Sequence, residues 1–176
     1  MSTVHHPRRA SACLRLLAAG SILAAGIVLS PSGASAATAT DTMTVTATVQ
    51  SACVLTASPL AFGSYNPTSA TNLDASTTVS VTCTLGTPYN VGMGAGAGTG
   101  ATTTVRKLTS SSNTLNYALY QNAGRTTNWG NTVGTDTLSA TAGLTANAIN
   151  VYGRIPSGQN TIAGSYTDSV TVTVTY

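Results

Sequence analysis

Apolar and polar residues alternate strictly at both ends of this chain. Residues 42–49 read TMTVTATV, and residues 170–176 read VTVTVTY. A period of two over this length is typical of a half-buried β-strand, and threonine favours strands over helices. The pattern therefore predicts one strand at residues 42–50 and another at residues 170–176. The periodicity leaves two interpretations open: two edge strands of an ordinary sandwich, or a first strand that completes the sheet of another molecule.

Other alternating runs predict further strands between these two. The clearest, residues 77–85, places every second residue on one apolar face: Val79, Val81, Cys83 and Leu85. Shorter runs at residues 115–119 and 149–155 follow the same period. Repeated short strands with turn residues between them, and no helical period beyond the first 36 residues, predict an all-β sandwich.

Two of the connecting segments carry residues to which we assign structural roles. Prolines bound residues 59–67, and we expect Phe62 and Tyr65 to anchor this turn region to the core or its rim. Tyr166 precedes the last strand and is similar to the tyrosine that pins a sandwich corner by bonding its hydroxyl to the backbone. Asp168 is expected to cap the same turn. Tyr166 and Asp168 are therefore predicted to form a structural corner.

The first 36 residues have the pattern of a secretory signal peptide. Basic residues at the start precede an apolar run at residues 16–29, and an Ala-Ser-Ala ending follows at residues 34–36. The apolar run is shorter than the ~20 residues that a bilayer span needs, and no later stretch is continuously apolar over that length, so no membrane insertion of the mature chain is expected. The predicted organisation is a cleaved signal peptide at residues 1–36, an N-terminal extension at residues 37–50 and one domain at residues 51–176.

The predicted mature chain has no net charge. The formal charge of +3 on the whole chain comes from three arginines in the predicted signal peptide. The four cations and four anions that remain cancel: Arg106, Lys107, Arg125 and Arg154 against Asp41, Asp74, Asp136 and Asp168. A nucleic-acid partner has no electrostatic footprint on such a surface. Near-zero charge instead suits a protein that associates with copies of itself.

Removal of the signal peptide also leaves an even number of cysteines. Cys53 and Cys83 remain, and in an exported chain such a pair predicts one disulfide. Free thiols or metal ligands are disfavoured because no histidine or further cysteine lies nearby. Cys83 shares a face with Val79 and Val81, so we expect the disulfide to be buried between the two layers of the sandwich.

Residue types that carry out catalysis are scarce. After residue 36 the chain has no histidine and no glutamate, and its four aspartates are scattered. The glycines at every second position of residues 92–100 lack the Lys and Ser/Thr of a phosphate-binding loop. Trp129, the only tryptophan, can stack on a sugar or plug the core, and the core role is favoured. We therefore expect no enzyme activity, no cofactor and no bound metal.

Several segments together resemble the spore coat protein U domain family, which includes the subunits of archaic chaperone–usher pili. They are SAC at residues 51–53, LAFGSY at 60–65, VSVTC at 79–83, LNYALY at 115–120 with RT at 125–126, and GSYTDSVTVTVTY at 164–176. The resemblance covers essentially all of the chain after residue 36. The Gly-x-Tyr-x-Asp ending with a terminal aromatic residue is its most specific part.

The resemblance implies an incomplete immunoglobulin-like β-sandwich of Greek-key type that lacks its last strand. A periplasmic chaperone lends a strand, and an outer-membrane usher exchanges it for the N-terminal strand of a neighbouring subunit. The donor side chains entering the groove would be Met43, Val45, Ala47 and Val49. The strand forming one wall of the acceptor groove would carry Val170, Val172, Val174 and Tyr176.

The function implied by this resemblance is a structural subunit of a cell-surface fibre, exported through the periplasm and serving adhesion or biofilm formation. Its partners would be copies of itself, related pilins, the chaperone and the usher. Two alternatives remain open. One is a self-contained, lectin-like secreted binding module, and the other is a component of a spore or cyst coat.

Overall fold

The computed structural model describes residues 35–176, so all but the last two residues of the predicted signal peptide lie outside the described residues. The described residues form eight β-strands and no helix. The strands are β1 (Cys53–Ala57), β2 (Leu73–Cys83), β3 (Pro88–Met93), β4 (Arg106–Ser110), β5 (Asn113–Tyr120), β6 (Leu138–Thr141), β7 (Asn147–Ile155) and β8 (Val172–Thr175). All eight lie in one compact unit, Thr46–Tyr176.

The strands form two antiparallel sheets. One has five strands in the order β1-β2-β7-β5-β4, and the other has three in the order β6-β3-β8. The crossovers that bring β2 beside β7 and β3 beside β8 are typical of a Greek-key sandwich. The predicted all-β, incomplete immunoglobulin-like fold is therefore confirmed.

The apolar faces of both sheets meet in one core. Its fully buried members include Val79 and Val81 of β2, which the period-two pattern of the sequence assigns to one face. Trp129 is also completely buried, and its indole N–H donates a hydrogen bond to the Val91 carbonyl at 2.8 Å. The core role favoured for Trp129 is thus confirmed.

The disulfide joins neighbouring strands of the same sheet. Cys53 of β1 lies opposite Cys83 of β2 in the antiparallel register, with 4.0 Å between their Cα atoms. The expected disulfide between Cys53 and Cys83 is present, but its expected position between the layers is wrong. The period of two predicts which way Cys83 points, whereas its partner is set by long-range strand pairing. Leu85 is 62 % exposed, because β2 ends at Cys83 and the chain turns at Gly86, which has a φ of 78°.

The two alternating ends differ from their predicted extents. No strand is formed at residues 35–52, where every residue is exposed, so the strand expected at residues 42–50 is absent from this single chain. A strand needs a partner for its ladder of backbone hydrogen bonds, and an unpaired segment has none. At the other end, β8 is shorter than expected and contains only residues 172–175.

The glycine-rich segment after β3 lies tightly against the C-terminal segment. The backbone N–H of Gly94 donates to the Thr171 carbonyl at 2.9 Å. Gly96 has a φ of 88°, and a Cβ at that position would collide with the Asp168 carboxylate. Glycine is therefore required at Gly96 for both backbone conformation and space.

Candidate functional site

Two strand edges remain unpaired on the same side of the sandwich. Among the described strands, β1 pairs only with β2, and β8 pairs only with β3. The outward backbone N–H and C=O groups of both strands are therefore free to accept another strand. An unpaired edge of this kind is the usual template for addition of an extended peptide.

An apolar cleft of about 310 Å³ lies between these edges. One wall is the C-terminal segment with Val170 and Val172, and the other is the chain that follows β1, with Leu60. The floor consists of core side chains from both sheets: Val79, Met93, Leu119 and Val151. The cleft therefore reaches the core, and apolar side chains entering it would be removed from water.

A second cleft of about 690 Å³ extends the first toward one end of the sandwich. The two clefts share Leu60, Phe62 and Leu108, so they form a single groove. The far end of this groove is lined by Ile155 of β7 and by residues 161–166, which precede β8. A groove with this elongated shape suits an extended segment better than a compact small molecule.

The groove is narrow between its two strand edges. Cα atoms of β1 and β8, the two edges, approach each other to within 8 Å. Two strands that flank a third one lie about 9.5 Å apart, since neighbouring strands are about 4.7–4.9 Å apart. A full-length inserted strand therefore requires the two edges to separate at this point.

One polar cluster lies beside the groove, where the C-terminal segment enters it. The Asp168 carboxylate accepts hydrogen bonds from the Tyr117 hydroxyl at 2.6 Å and from the Ala97 N–H at 2.7 Å. Burial raises the pKa of Tyr117 far above its ordinary value, and the hydrogen bond to Asp168 raises it further. The phenol therefore stays protonated and keeps donating to Asp168, which fixes the start of the groove wall.

The neighbouring corner is also held by hydrogen bonds. The Tyr166 hydroxyl donates to the Ile162 carbonyl at 2.7 Å, and it lies 2.7 Å from the Thr161 hydroxyl. These contacts close the short loop that lines the end of the groove.

The residues predicted to form the groove wall occupy different environments. Val170, Val172 and Val174 are half-buried and pack against the core, whereas Tyr176 is 60 % exposed. All four predicted donor side chains are exposed and belong to no strand: Met43, Val45, Ala47 and Val49.

The sequence did not reveal several residues of the groove. Met93 and Leu108 lie on short strands whose alternation is too brief to recognise, and Phe62 was expected only as an anchor. Phe62 in fact borders both clefts, and its ring meets that of Tyr117 edge-on at 5.9 Å between centroids. Its place in the LAFGSY segment was the only available signal.

The described residues offer the groove little reactive chemistry. They contain no group of three or more potential metal ligands. They also include no helix with the length and hydrophobicity needed to cross a membrane. What the groove presents is apolar surface and unpaired backbone, which suits binding of a polypeptide strand.

Fold and site together define an immunoglobulin-like sandwich with one open side. The Spore Coat Protein U domain family matches residues 39–173, and the chain belongs to this family. The chain is 36 % identical over 174 residues to Protein U of Myxococcus xanthus, covering 90 % of this chain and 97 % of the relative.

A solved structure has the same fold. It is a chain of the CsuC–CsuE chaperone–tip adhesion subunit pre-assembly complex from the archaic chaperone-usher Csu pili of Acinetobacter baumannii. The TM-score is 0.55 at 24 % identity, and the alignment covers 73 % of this chain. It spans 40 % of the length of the solved chain, and at this identity the likeness concerns the fold alone.

Proposed function

We propose that this protein is a structural subunit of a cell-surface fibre, assembled by donor-strand complementation. The observation that carries the proposal is the pairing of two features within one chain. An apolar groove lies between two unpaired strand edges, and an exposed N-terminal segment alternates apolar and polar residues. The segment can therefore supply the apolar side chains and the backbone hydrogen-bonding groups that would fill the groove.

The spacing of side chains supports this assignment. In an extended strand, alternate side chains point to the same face and repeat about every 6.6–6.8 Å. Val170, Val172 and Val174 repeat with this period along the C-terminal segment, of which Val170 and Val172 line the groove, and Val45, Ala47 and Val49 repeat with it along the extension. The apolar side chains of the extension would therefore enter the groove together, while its threonines face outward.

We infer that the donor strand runs antiparallel to β8. Strands β1 and β8 run in opposite directions, so a strand between them is antiparallel to one and parallel to the other. The groove is lined by Val170 and Val172 of the C-terminal segment but only by the last residue of β1, Ala57, so we assign the slightly more stable antiparallel ladder to the β8 side. This orientation places Val49, the last donor side chain, beside the start of the C-terminal segment. Met43 then lies toward Tyr176.

The proposal assigns roles to the rest of the chain and to its partners. Residues 1–36 are a cleaved signal peptide, residues 37–50 the donor extension, and residues 51–176 the pilin domain. An open groove exposes apolar surface and invites aggregation, so a periplasmic chaperone has to cover it before assembly. An outer-membrane usher then exchanges that chaperone strand for the extension of another copy or a related pilin, and the fibre serves adhesion or biofilm formation.

The donor assignment is tested by Val45→Asp. We expect this variant to accumulate as a chaperone-bound subunit that does not polymerise, because a carboxylate would have to enter the apolar groove without a partner. The matched control is Thr46→Asp, which places the same charge on the outward face and should still polymerise. Polymers are detected as ladders in unheated detergent gels and as fibres in electron micrographs. Fibres of normal length from Val45→Asp would contradict the donor assignment.

A coat component is a second candidate function, favoured by the family to which the chain belongs and by its likeness to Protein U over nearly the full length of both chains. Electron microscopy of the producing cells separates the candidates, because a coat forms a continuous layer and a pilus forms discrete fibres. Size-exclusion chromatography tests a third possibility. A self-contained lectin-like module would remain a stable monomer and form no ladder.

A further inference from the structure

The extension joins the domain at one end of the sandwich, and the groove opens at the other end. The extension joins the domain where Ala52 exchanges hydrogen bonds with Thr84: its N–H donates to the Thr84 hydroxyl at 3.1 Å, and its carbonyl accepts from the Thr84 N–H at 2.9 Å. This extension end lies next to the Cys53–Cys83 pair of the β1–β2 ladder. The groove end lies at residues 161–166, beside Ile155, which pairs with the opposite end of β2.

Two exposed leucines lie at the extension end. Leu85 is 62 % exposed and directly follows Thr84, and Leu144 is 89 % exposed. Their loops are held together, because the Gly86 N–H donates to the Ala142 carbonyl at 3.0 Å and the Ala142 N–H donates to the Thr87 carbonyl at 2.9 Å. The leucines therefore belong to one locally fixed surface, which we call the leucine surface.

The connection between the donor strand and the domain is short, and this brings the leucine surface close to the next subunit. Val49 is the last donor side chain, and only Gln50 and Ser51 separate it from Ala52, which is fixed to the domain. The three residue steps from Val49 to Ala52 span at most about 10 Å. Once Val49 occupies the groove of another copy, the leucine surface has to lie against that copy.

The antiparallel orientation of the donor decides which part of the neighbour is met. It places Val49 near Asp168 and Val170, so the extension end of one copy faces the groove end of the next. Ile162 lies at that groove end and is 65 % exposed. Its loop is fixed by the hydrogen bond from the Tyr166 hydroxyl to the Ile162 carbonyl.

We propose that Leu85 and Leu144 of one copy pack against Ile162 of the next, and that this second contact restrains the angle between successive subunits. The partner is a second copy of this chain, and the inference rests on the proposed strand exchange. The contact joins different surfaces of the two copies, so it repeats along the fibre without closing into a ring. The donor strand supplies connection, and the leucine surface supplies stiffness.

The test compares fibres of the full-length protein with those of Leu85→Ser/Leu144→Ser and of Ile162→Ser. We expect the leucine variant to form the same detergent-resistant ladders as the unmodified protein, because neither leucine lies on the extension or lines the groove. Ile162 lines the end of the groove, so its variant is compared with the unmodified protein in ladder formation as well as in stiffness. The fibres of both variants should have a shorter persistence length and a broader spread of angles between subunits in electron micrographs. Combining all three substitutions should add nothing further, because both variants remove the same contact.

The matched control is Val133→Ser. Val133 is 52 % exposed and lies on the loop before β6, two residues from Asn131, which packs over Gly92. It belongs neither to the leucine surface nor to the lining of the groove. Its fibres should keep the persistence length of the unmodified protein. As a second arm, Leu144→Glu and Ile162→Lys should each soften the fibre, and the two together should restore stiffness through an opposite-charge contact.

The outcomes separate this inference from the function on which it rests. No ladders and no fibres from the unmodified protein would overturn the strand-exchange proposal itself. Normal ladders with unchanged persistence length in both serine variants would overturn the leucine contact alone. Softening by Ile162→Ser without softening by the leucine substitutions would also overturn it, because the contact requires both sides.

Discussion

Two edge regions of the sandwich are completed in opposite ways. In the first, which we call the closed side, β4 of the larger sheet joins the segment that leads into β8 of the smaller sheet. Thr109 and Thr167 exchange backbone hydrogen bonds there, at 2.8 and 3.0 Å. In the second, the open side, β1 and β8 face each other across the apolar groove without a strand between them.

Polar side chains complete the closed side. Arg106 is fully buried, and its guanidinium donates to the carbonyls of Met93, Gly94, Thr103 and Trp129 at 2.7–2.9 Å. These carbonyls belong to loops and strand ends that no ladder satisfies, so the arginine takes the place of missing backbone donors. Asp168 fills the complementary role by accepting from the Ala97 N–H.

The open side has no comparable polar side chains along β1 and β8. Its walls are apolar, and its free backbone groups run along two strand edges. A side chain can satisfy a few scattered carbonyls, but only another strand satisfies a whole row of alternating N–H and C=O groups. The closed side is therefore completed from within the chain, whereas the free edges of the open side are paired by no described strand.

The largest loss of stability is expected from Arg106→Met, which removes the buried guanidinium of the closed side. Two buried and two partly buried carbonyls lose their donor. At about 1–3 kcal/mol for each buried unpaired acceptor, and less for each partly buried one, the free energy of unfolding should fall by about 4 kcal/mol or more. Urea unfolding followed through the fluorescence of Trp129, the single tryptophan, measures the change.

Lys107→Met is the matched control for this substitution. Lys107 is the next residue along β4, and its ammonium makes a single exposed hydrogen bond to the Thr99 carbonyl at 3.1 Å. We expect a change within about 0.5 kcal/mol. Equal losses from the two substitutions would show that the closed side does not depend on the buried guanidinium.

A smaller effect is expected from removing the disulfide beside the open side with Cys53→Ser/Cys83→Ser. The two cysteines are 30 residues apart, and opening a loop of this size should lower the free energy of unfolding by about 3–4 kcal/mol. Because β1 has a single partner strand, β2, this bond also holds the free edge in register. Dithiothreitol should reproduce the loss in the unmodified protein and have no effect on the variant. Equal stability of the oxidised and reduced protein would contradict this account.

The long alternating runs made much of the fold predictable. Strands β5 and β7, most of β2 and the end of β8 follow from runs in which one face is apolar, because the period of two directly reports burial. Strands β4 and β6 contain five and four residues, which is too short for a period to be recognised. In β4, moreover, the most buried residue is an arginine, which sequence reasoning assigns to the surface.

The groove was less predictable than the strands. The valines of its C-terminal wall belong to an alternating run, but its floor combines residues far apart in sequence, such as Val79 and Leu119. Which strands face each other is decided by long-range pairing, which one sequence does not encode locally. The same limit explains why Cys83 was assigned to the correct face and the disulfide to the wrong position.

The smallest effect is expected at Asp74, where charged groups meet at the surface rather than in the closed side. Arg154 forms two hydrogen bonds with its carboxylate at 2.8 and 2.9 Å, and Arg125 lies 3.2 Å away. The hydrogen bond from Arg154, followed by the charge of Arg125, lowers the pKa of Asp74 below its ordinary value of 3.8. These groups are partly solvated, so Asp74→Asn should cost less than about 1 kcal/mol at neutral pH.

The contribution of Asp74 to the free energy of unfolding depends on pH. Because the folded-state pKa of Asp74 is depressed, its contribution is fully present well above pH 3.8 and is lost as the pH falls below 3.8 through the folded-state pKa. Unfolding in urea at neutral pH and at several acidic values should therefore show a shallower acid loss in Asp74→Asn than in the unmodified protein. Asp41→Asn, on the exposed extension, is the matched control for the loss of one carboxylate. If Asp74→Asn lowered the free energy of unfolding more than Arg106→Met does, surface polar contacts would contribute more to stability than buried ones, contrary to this account.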